Sequence, residues 1–413
     1  MKISQLCQFI TIICLPLYII RFFLPFEIPG VGFLPSTLLE ILIWISFLAT
    51  GVEFFKDGGK LSQLKTHFDL LIILFLAAAV ISVLISPNLL GGLGILRAYF
   101  IEPILFFYCL VYTAKKIGIN YIIYSLVISG VWLSVLGVIQ KITGEFSLAP
   151  NEIIQGRISA VYNSANALAL YLGPLIMISF WQFFKGDVKK KILFGALFLL
   201  FSIVMVWTRS RGGMIAEAGS LIIFFTTVVI AKYPKIKKFW VIVPILFILL
   251  VNLFFSQLYF MYNSLPPTYN QTFVKGDTLQ IRYFIWAGTI NLLKDHLIFG
   301  AGLNGFKQLY TQYKLPQYLE NFQYPHNLVL TFWAETGILG LFAFLLLLVS
   351  SISLVIKKIL KSDLLLAAVL LAIFSYWIIH GVVDVPYFKN DLSVQFWIIL
   401  ALVEVAGIKK VNI

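Results

Sequence analysis

Apolar runs of about 20 residues, separated by short polar connections, recur along nearly the whole 413-residue chain. Twelve can be placed, at roughly 5–24, 34–55, 66–85, 91–113, 119–141, 161–184, 191–208, 213–231, 239–258, 328–356, 364–383 and 391–408. A helix of that length matches the hydrocarbon thickness of a bilayer, whereas membrane strands are about half as long and alternate in polarity. Backbone groups facing lipid must be satisfied within the segment, so these runs are helices and a porin-like barrel is excluded. With 60% hydrophobic residues, 12% charged and a mean hydropathy of +0.95, a soluble core could not bury this much apolar surface. The expected fold is therefore all-α: one polytopic membrane helix bundle of about 12 transmembrane helices over residues 1–413. It carries one large extracytoplasmic loop region, 259–327, containing amphipathic helices.

The net charge of +13 falls in short clusters between apolar runs, without an interleaved RNA-binding motif, so membrane topology explains it and nucleic acid is not an expected partner. With a cytoplasmic N-terminus, the inside connections hold 19 of the 31 basic residues, against 10 outside and two, Arg21 and Arg97, within spans. Every even-numbered connection is then basic and short. Both termini are expected in the cytoplasm. All 19 inside cations are lysines, and every arginine lies outside or within a span: Arg21, Arg97, Arg157, Arg209, Arg211 and Arg282. Guanidinium binds phosphate in a planar, bidentate way, while lysine suffices as a point charge, so the sorting implies an outward-facing phosphate ligand. Cys7, Cys14 and Cys109 lie inside apolar runs and read as packing residues. No internal repeat is visible, which weakens a transporter reading.

Several residues on the outer side carry candidate chemistry. Thr208-Arg209-Ser210-Arg211-Gly212-Gly213 is a tight turn whose glycines let backbone N–H groups approach an anion at a helix start. Arg97 lies about six residues, roughly 9 Å, inside the fourth span, and reads equally as a structural ion pair with Glu102 or as a ligand contact. Arg157 precedes the sixth span, where Asn163 and Asn166 can share a helical face; helix packing competes with ligand binding for these asparagines. Asp277 and Gln280 read as a cap for an amphipathic helix over about Thr278–Phe299. Leu279, Phe284, Trp286, Ile290, Leu293 and Leu297 form its apolar side, Arg282 faces inward, and Gly300-Ala301-Gly302 stops it. His326 and Asn327 open the tenth span; an imidazole there suits a general base, although a helix-start role competes. His380 and Asp384 are spaced i, i+4 and can orient an arginine or a second imidazole. No nucleotide-binding fingerprint, His-Glu-x-x-His or Asp-x-Asp pair is present, so no cofactor or metal is expected. An activated sugar on this face is expected to arrive on a lipid.

In combination and order, Ser210-Arg211-Gly212, Arg282 with Trp286, Gly300-x-Gly302 with Phe306, and His326-Asn327 leading to Glu335-x-Gly337-x-x-Gly340 resemble the O-antigen ligase and polymerase family, glycosyltransferases of the GT-C type. The resemblance is clearest over 195–345 and extends to Arg157 with Asn166, although Ala165 stands where the family usually has proline. It implies transfer of glycan from an undecaprenyl-pyrophosphate carrier to a lipid or glycan acceptor at the outer face of the inner membrane, without a metal. Arg211 and Arg282 would grip the pyrophosphate, with Arg209 as helper, and His326 would take the acceptor's proton as the anomeric carbon inverts. Which of Arg209 and Arg211 meets phosphate stays open. So does ligase against polymerase, and a non-catalytic lipid-glycan flippase is the alternative from another class.

Overall fold

A computed structural model of the protein describes residues 2–23, 35–233, 278–315 and 321–406. The expected span at 239–258, Asp277 and much of the polar interval lie outside the described residues. The helices are α1 (Ile3–Ile13), α2 (Leu38–Lys56), α3 (Asp69–Leu84), α4 (Leu89–Ile117), α5 (Asn120–Thr143), α6 (Pro150–Ile154), α7 (Ala165–Lys185), α8 (Val188–Trp207), α9 (Arg211–Lys232), α10 (Thr278–Asp295), α11 (Phe306–Tyr313), α12 (Leu328–Ser362), α13 (Leu364–Gly381) and α14 (Asn390–Ala406). Strands β1 (Arg21–Phe23) and β2 (Pro35–Thr37) pair antiparallel ahead of α2.

Among the described residues, α2, α4, α5, α7, α8, α9, α12 and α13 are long and apolar enough to cross a membrane, eight in all. Helices α1, α3 and α14 occupy three more expected positions but have only 11, 16 and 17 residues, short of the roughly 20 that span a bilayer upright. Helix α14 is buried along almost its whole length.

Polar caps begin the helices at the site end of the bundle. Ser164, Ser210 and Asn327 each accept a backbone N–H of α7, α9 and α12 respectively, and Thr37 and Glu40 form a capping box at α2. Helix α9 lies along α13, α7 lies between α8 and α13, α12 packs on α3, and α14 on α4. The aromatic rings of Phe75, Phe100, Phe332, Phe344, Tyr387 and Trp397 fill the middle of this arrangement.

Helix α12 is broken at Gly337, where φ is +66°. A straight helix would hold Phe332 and Phe344 about 18 Å apart at 1.5 Å per residue, yet their rings stack at 3.9 Å between centroids. The short first half therefore folds back against the second. Into the break runs the chain that follows α10: Ile338 donates its N–H to the Ile298 carbonyl at 2.9 Å and Ala301 to the Ala334 carbonyl at 2.6 Å. A Cβ at Gly337 would lie 2.5 Å from that Ile298 oxygen, and one at Gly300 2.3 Å from the Trp333 oxygen, so only glycine fits either place. Buried Glu335 accepts the Asn304 N–H at 2.5 Å, and Leu303 donates to Ser82 of α3. This wedge fixes α10, and hence Arg282, against the start of α12.

Helix α10 differs from its expected form in two ways. It ends at Asp295, five residues before Gly300. Its buried face is Phe284, Ile285, Trp286, Leu292 and Leu293, while Ile290 and Leu297 are exposed; packing against α11 and α12, not the widest apolar arc, selects the face.

Candidate functional site

Asp384 is the centre of a polar cluster where α9 and α12 begin and α13 ends. The chain leaves α13 with another helical turn, Asp384 N–H donating to the His380 carbonyl at 3.0 Å, which places the carboxylate over the end of the helix. His326 enters from α12. Its φ of +53° is a left-handed conformation seldom adopted by residues with a side chain. That turn between Pro325 and the cap Asn327 brings the imidazole Nδ1 to 3.2 Å from Asp384 Oδ1. Asn327 holds the turn from both sides, its Oδ1 accepting Leu330 N–H at 3.0 Å and its Nδ2 donating to the Val382 carbonyl at 2.9 Å. Trp286 of α10 donates its indole N–H to the Pro325 carbonyl at 3.0 Å.

Arg282 completes the cluster from α10. Its Nη2 lies 3.7 Å from Asp384 Oδ2 and its Nη1 3.5 Å from the His326 carbonyl oxygen. These are long separations for guanidinium bonds, so donor capacity is left over. Burial lowers the Arg282 pKa and the Asp384 charge opposes that fall. At Asp384, burial disfavours the charged form, but the hydrogen bond to His326 and the neighbouring cations outweigh it and hold the carboxyl well below its usual range. The carboxylate is thus ionised. In its neutral form an imidazole donating Nδ1–H to that carboxylate has its lone pair on Nε2, and Nε2 makes no hydrogen bond among the described residues.

The turn before α9 lies against the same place. A Cβ at Gly212 would fall 2.6 Å from Val383 Cγ2 and 3.3 Å from His380 Nε2. Arg211 is therefore one residue from a contact with the α13 end that carries Asp384. It is exposed and forms no hydrogen bond or ion pair among the described residues. Arg209, with φ of +52°, turns away and donates to the Gln155 carbonyl at 3.0 Å. His380 bonds the Tyr376 hydroxyl through Nδ1 at 3.0 Å, and that hydroxyl donates to the Ala169 carbonyl.

Other candidates are already engaged. Arg157 donates to the Thr208 carbonyl at 2.9 Å and to Asn166 Oδ1 at 2.9 Å, and pairs with Glu152 at 2.8 Å; Arg157 and Asn166 brace the Arg209–Arg211 turn. Asn163 does not share a helical face with Asn166, because it precedes the α7 cap Ser164. Arg97 is held by Glu40 at 2.6 Å, the Pro35 carbonyl at 2.8 Å and Glu102 at 3.5 Å. Its strongest partner is Glu40, 57 positions away, and not Glu102 alone. Lys389, in the turn between Asp384 and Asp391, escaped the sequence reading; its ammonium sits 5.6 Å from the Tyr162 ring centre. Burial lowers its pKa while Asp391 and Asp384 oppose the shift. A lone cation between two carboxylates in a short turn was the available signal.

Residues 196–345 match the family model described as O-Antigen ligase. That segment belongs to the O-antigen ligase family. Arg211, Arg282 and His326 all fall inside the ligase segment, whereas Asp384 reaches the cluster from outside it. No curated protein matches the chain. The eight apolar helices make this a multi-pass membrane protein.

Proposed function

We propose that the protein transfers glycan from an undecaprenyl-pyrophosphate carrier to an acceptor hydroxyl at the outer face of the bacterial cytoplasmic membrane. The observation that carries this reading is the shared carboxylate: Asp384 orients His326 on one oxygen and holds Arg282 loosely on the other. His326 Nε2 takes the acceptor's proton as its oxygen bonds to the anomeric carbon from the face opposite the pyrophosphate. The bond from that carbon to the pyrophosphate oxygen breaks, and the lipid diphosphate leaves with the electron pair. Configuration inverts. Arg282 and Arg211 neutralise the leaving charge, and since pyrophosphate leaves readily, cations and one base meet the demand.

Arg209, Arg157, Asn166 and Asn327 support the site by shaping its turns, and Arg97 supports it through the scaffold. The twelve-span topology with both termini inside is supported by the lysines gathered away from Asp384, where Lys2 pairs with Glu53 and Lys116 with Asp57. The test is an in vitro reaction of the purified protein with a defined lipid-pyrophosphate glycan donor, with and without acceptor. Transfer that needs acceptor supports a ligase, and a ladder from donor alone makes it a polymerase. No product under either condition, with His326→Ala leaving lipid-glycan flux intact in cells, would reject the enzyme for a flippase.

A further inference from the structure

At the end of the bundle away from Asp384, a groove of about 480 Å³ opens between α3 and α12. Leu71, Leu346 and Val349 form its apolar wall, and His67, Lys357 and Lys358 line its polar mouth. The backbone is modified there: Val355–Ile359 is a π-helical turn inside α12, an insertion that re-aims side chains and often marks functional positions. Lys358 Nζ donates to His67 Nε2 at 2.6 Å, and His67 Nδ1 in turn bonds Glu404 at 2.9 Å. Nε2 thereby accepts from the ammonium and holds it at the mouth. Lys357 is exposed and makes no hydrogen bond or ion pair among the described residues. Glu404 is engaged by His67, and Asp69 accepts from the Thr66 and Tyr108 hydroxyls, leaving Lys357 as the unpartnered cation of the mouth among the described residues.

We propose that this groove binds an anionic phospholipid, with the phosphodiester between Lys357 and Lys358 and an acyl chain along Leu71, Leu346 and Val349. Charge complementarity selects the headgroup, since basic pockets between membrane helices suit anionic lipid phosphates. The apolar wall excludes free phosphate as the sufficient ligand. The inference requires only that the bundle lies in a membrane and is independent of the transfer reaction.

The test compares the purified protein in nanodiscs of phosphatidylcholine with and without phosphatidylglycerol, reading retained lipid by native mass spectrometry and the thermal midpoint. Phosphatidylglycerol is expected to be retained and to raise the midpoint. The double variant Lys357→Ala/Lys358→Ala is expected to weaken retention on the order of thirtyfold, at roughly fivefold per lysine, while Lys357→Arg/Lys358→Arg keeps it. Leu346→Trp, which obstructs the wall and leaves both lysines, is expected to weaken retention too. Equal retention of phosphatidylcholine, an equal shift with inorganic phosphate, or unchanged retention in both the alanine pair and Leu346→Trp overturns the proposal.

Discussion

Arg97 and Arg282 stand near the same end of the bundle, each beside buried carboxylates, yet their guanidinium groups are in opposite conditions. Arg97 is closed in: Glu40 accepts from it at 2.6 Å and the Pro35 carbonyl at 2.8 Å, Glu102 lies 3.5 Å away, and Asn390 donates to the other Glu40 oxygen. Arg282 has one carboxylate, shared with His326, at 3.7 Å. The first arrangement engages its cation within the protein and ties the starts of α2 and α14 to α4. The second leaves donors for something outside the protein. Close, multiply satisfied charge is scaffold, and loosely held charge beside an open imidazole is where a phosphate ester fits.

The sharpest way to break that contrast is His326→Ala. The expected outcome is a loss of transfer of about 10²- to 10⁴-fold, the usual worth of a positioned base, with normal insertion and a midpoint lowered only by the loss of one charged hydrogen bond. Arg97→Ala should show the reverse, normal specific activity per folded molecule but a fold weakened by roughly 3–5 kcal/mol, because the buried Glu40 carboxylate loses its cation. Retained transfer in folded His326→Ala would dissolve the distinction. Replacing Arg97, Glu40 and Glu102 together by apolar residues of similar size should recover most of the lost midpoint, since no charge is then stranded.

The same contrast shows what the sequence could and could not reveal. Spacing made the His380–Asp384 turn legible, because i, i+4 residues share a face whatever surrounds them. The sorting of arginine from lysine pointed to one end of the bundle before any contact was known. The partner of Arg97 was not legible: Glu102 was near in sequence, and Glu40 became the stronger partner only when α2 packed beside α4. Nor was the fold-back of α12. Glu335-x-Gly337-x-x-Gly340 lies within a continuous apolar run, and nothing local says that residues 297–305 enter beside it. Asn163 was misplaced for a simpler reason, since Ser164 is the better cap and starts the helix after it.

Gly337 separates scaffold from site in a second way, with a smaller expected effect. Gly337→Ala places a methyl group 2.5 Å from the Ile298 oxygen and demands φ of +66° from a residue with a Cβ. Left-handed strain costs roughly 1–3 kcal/mol, and relief requires residues 297–305 to move with α10. Reduced midpoint and reduced transfer should therefore appear together, unlike either arginine-cluster variant. Loss of one without the other would show that the wedge does not position Arg282.

The smallest effect concerns acid and distinguishes Asp384 from the other depressed carboxyl outside the spans, Asp57. Both lie below their usual range. At Asp57 the hydrogen bond from Lys116 leads, and at Asp384 the His326 bond and nearby cations overcome burial. A carboxyl depressed in the folded state binds its proton first in the unfolded one, so its stabilisation is complete above the ordinary carboxylate range and fades as pH falls through and below it. Asp57 is exposed and screened and is unchanged in the variant, so the difference between wild type and Asp384→Asn isolates the buried group. Near pH 7 the wild type should be the more stable by about 1.5 kcal/mol, the worth of one charged hydrogen bond, and as pH falls below about 4 the gap should narrow. A gap that stays constant with pH would mean that Asp384 does not carry its charge into the fold, and Arg282 would then lack the anion that keeps it beside His326.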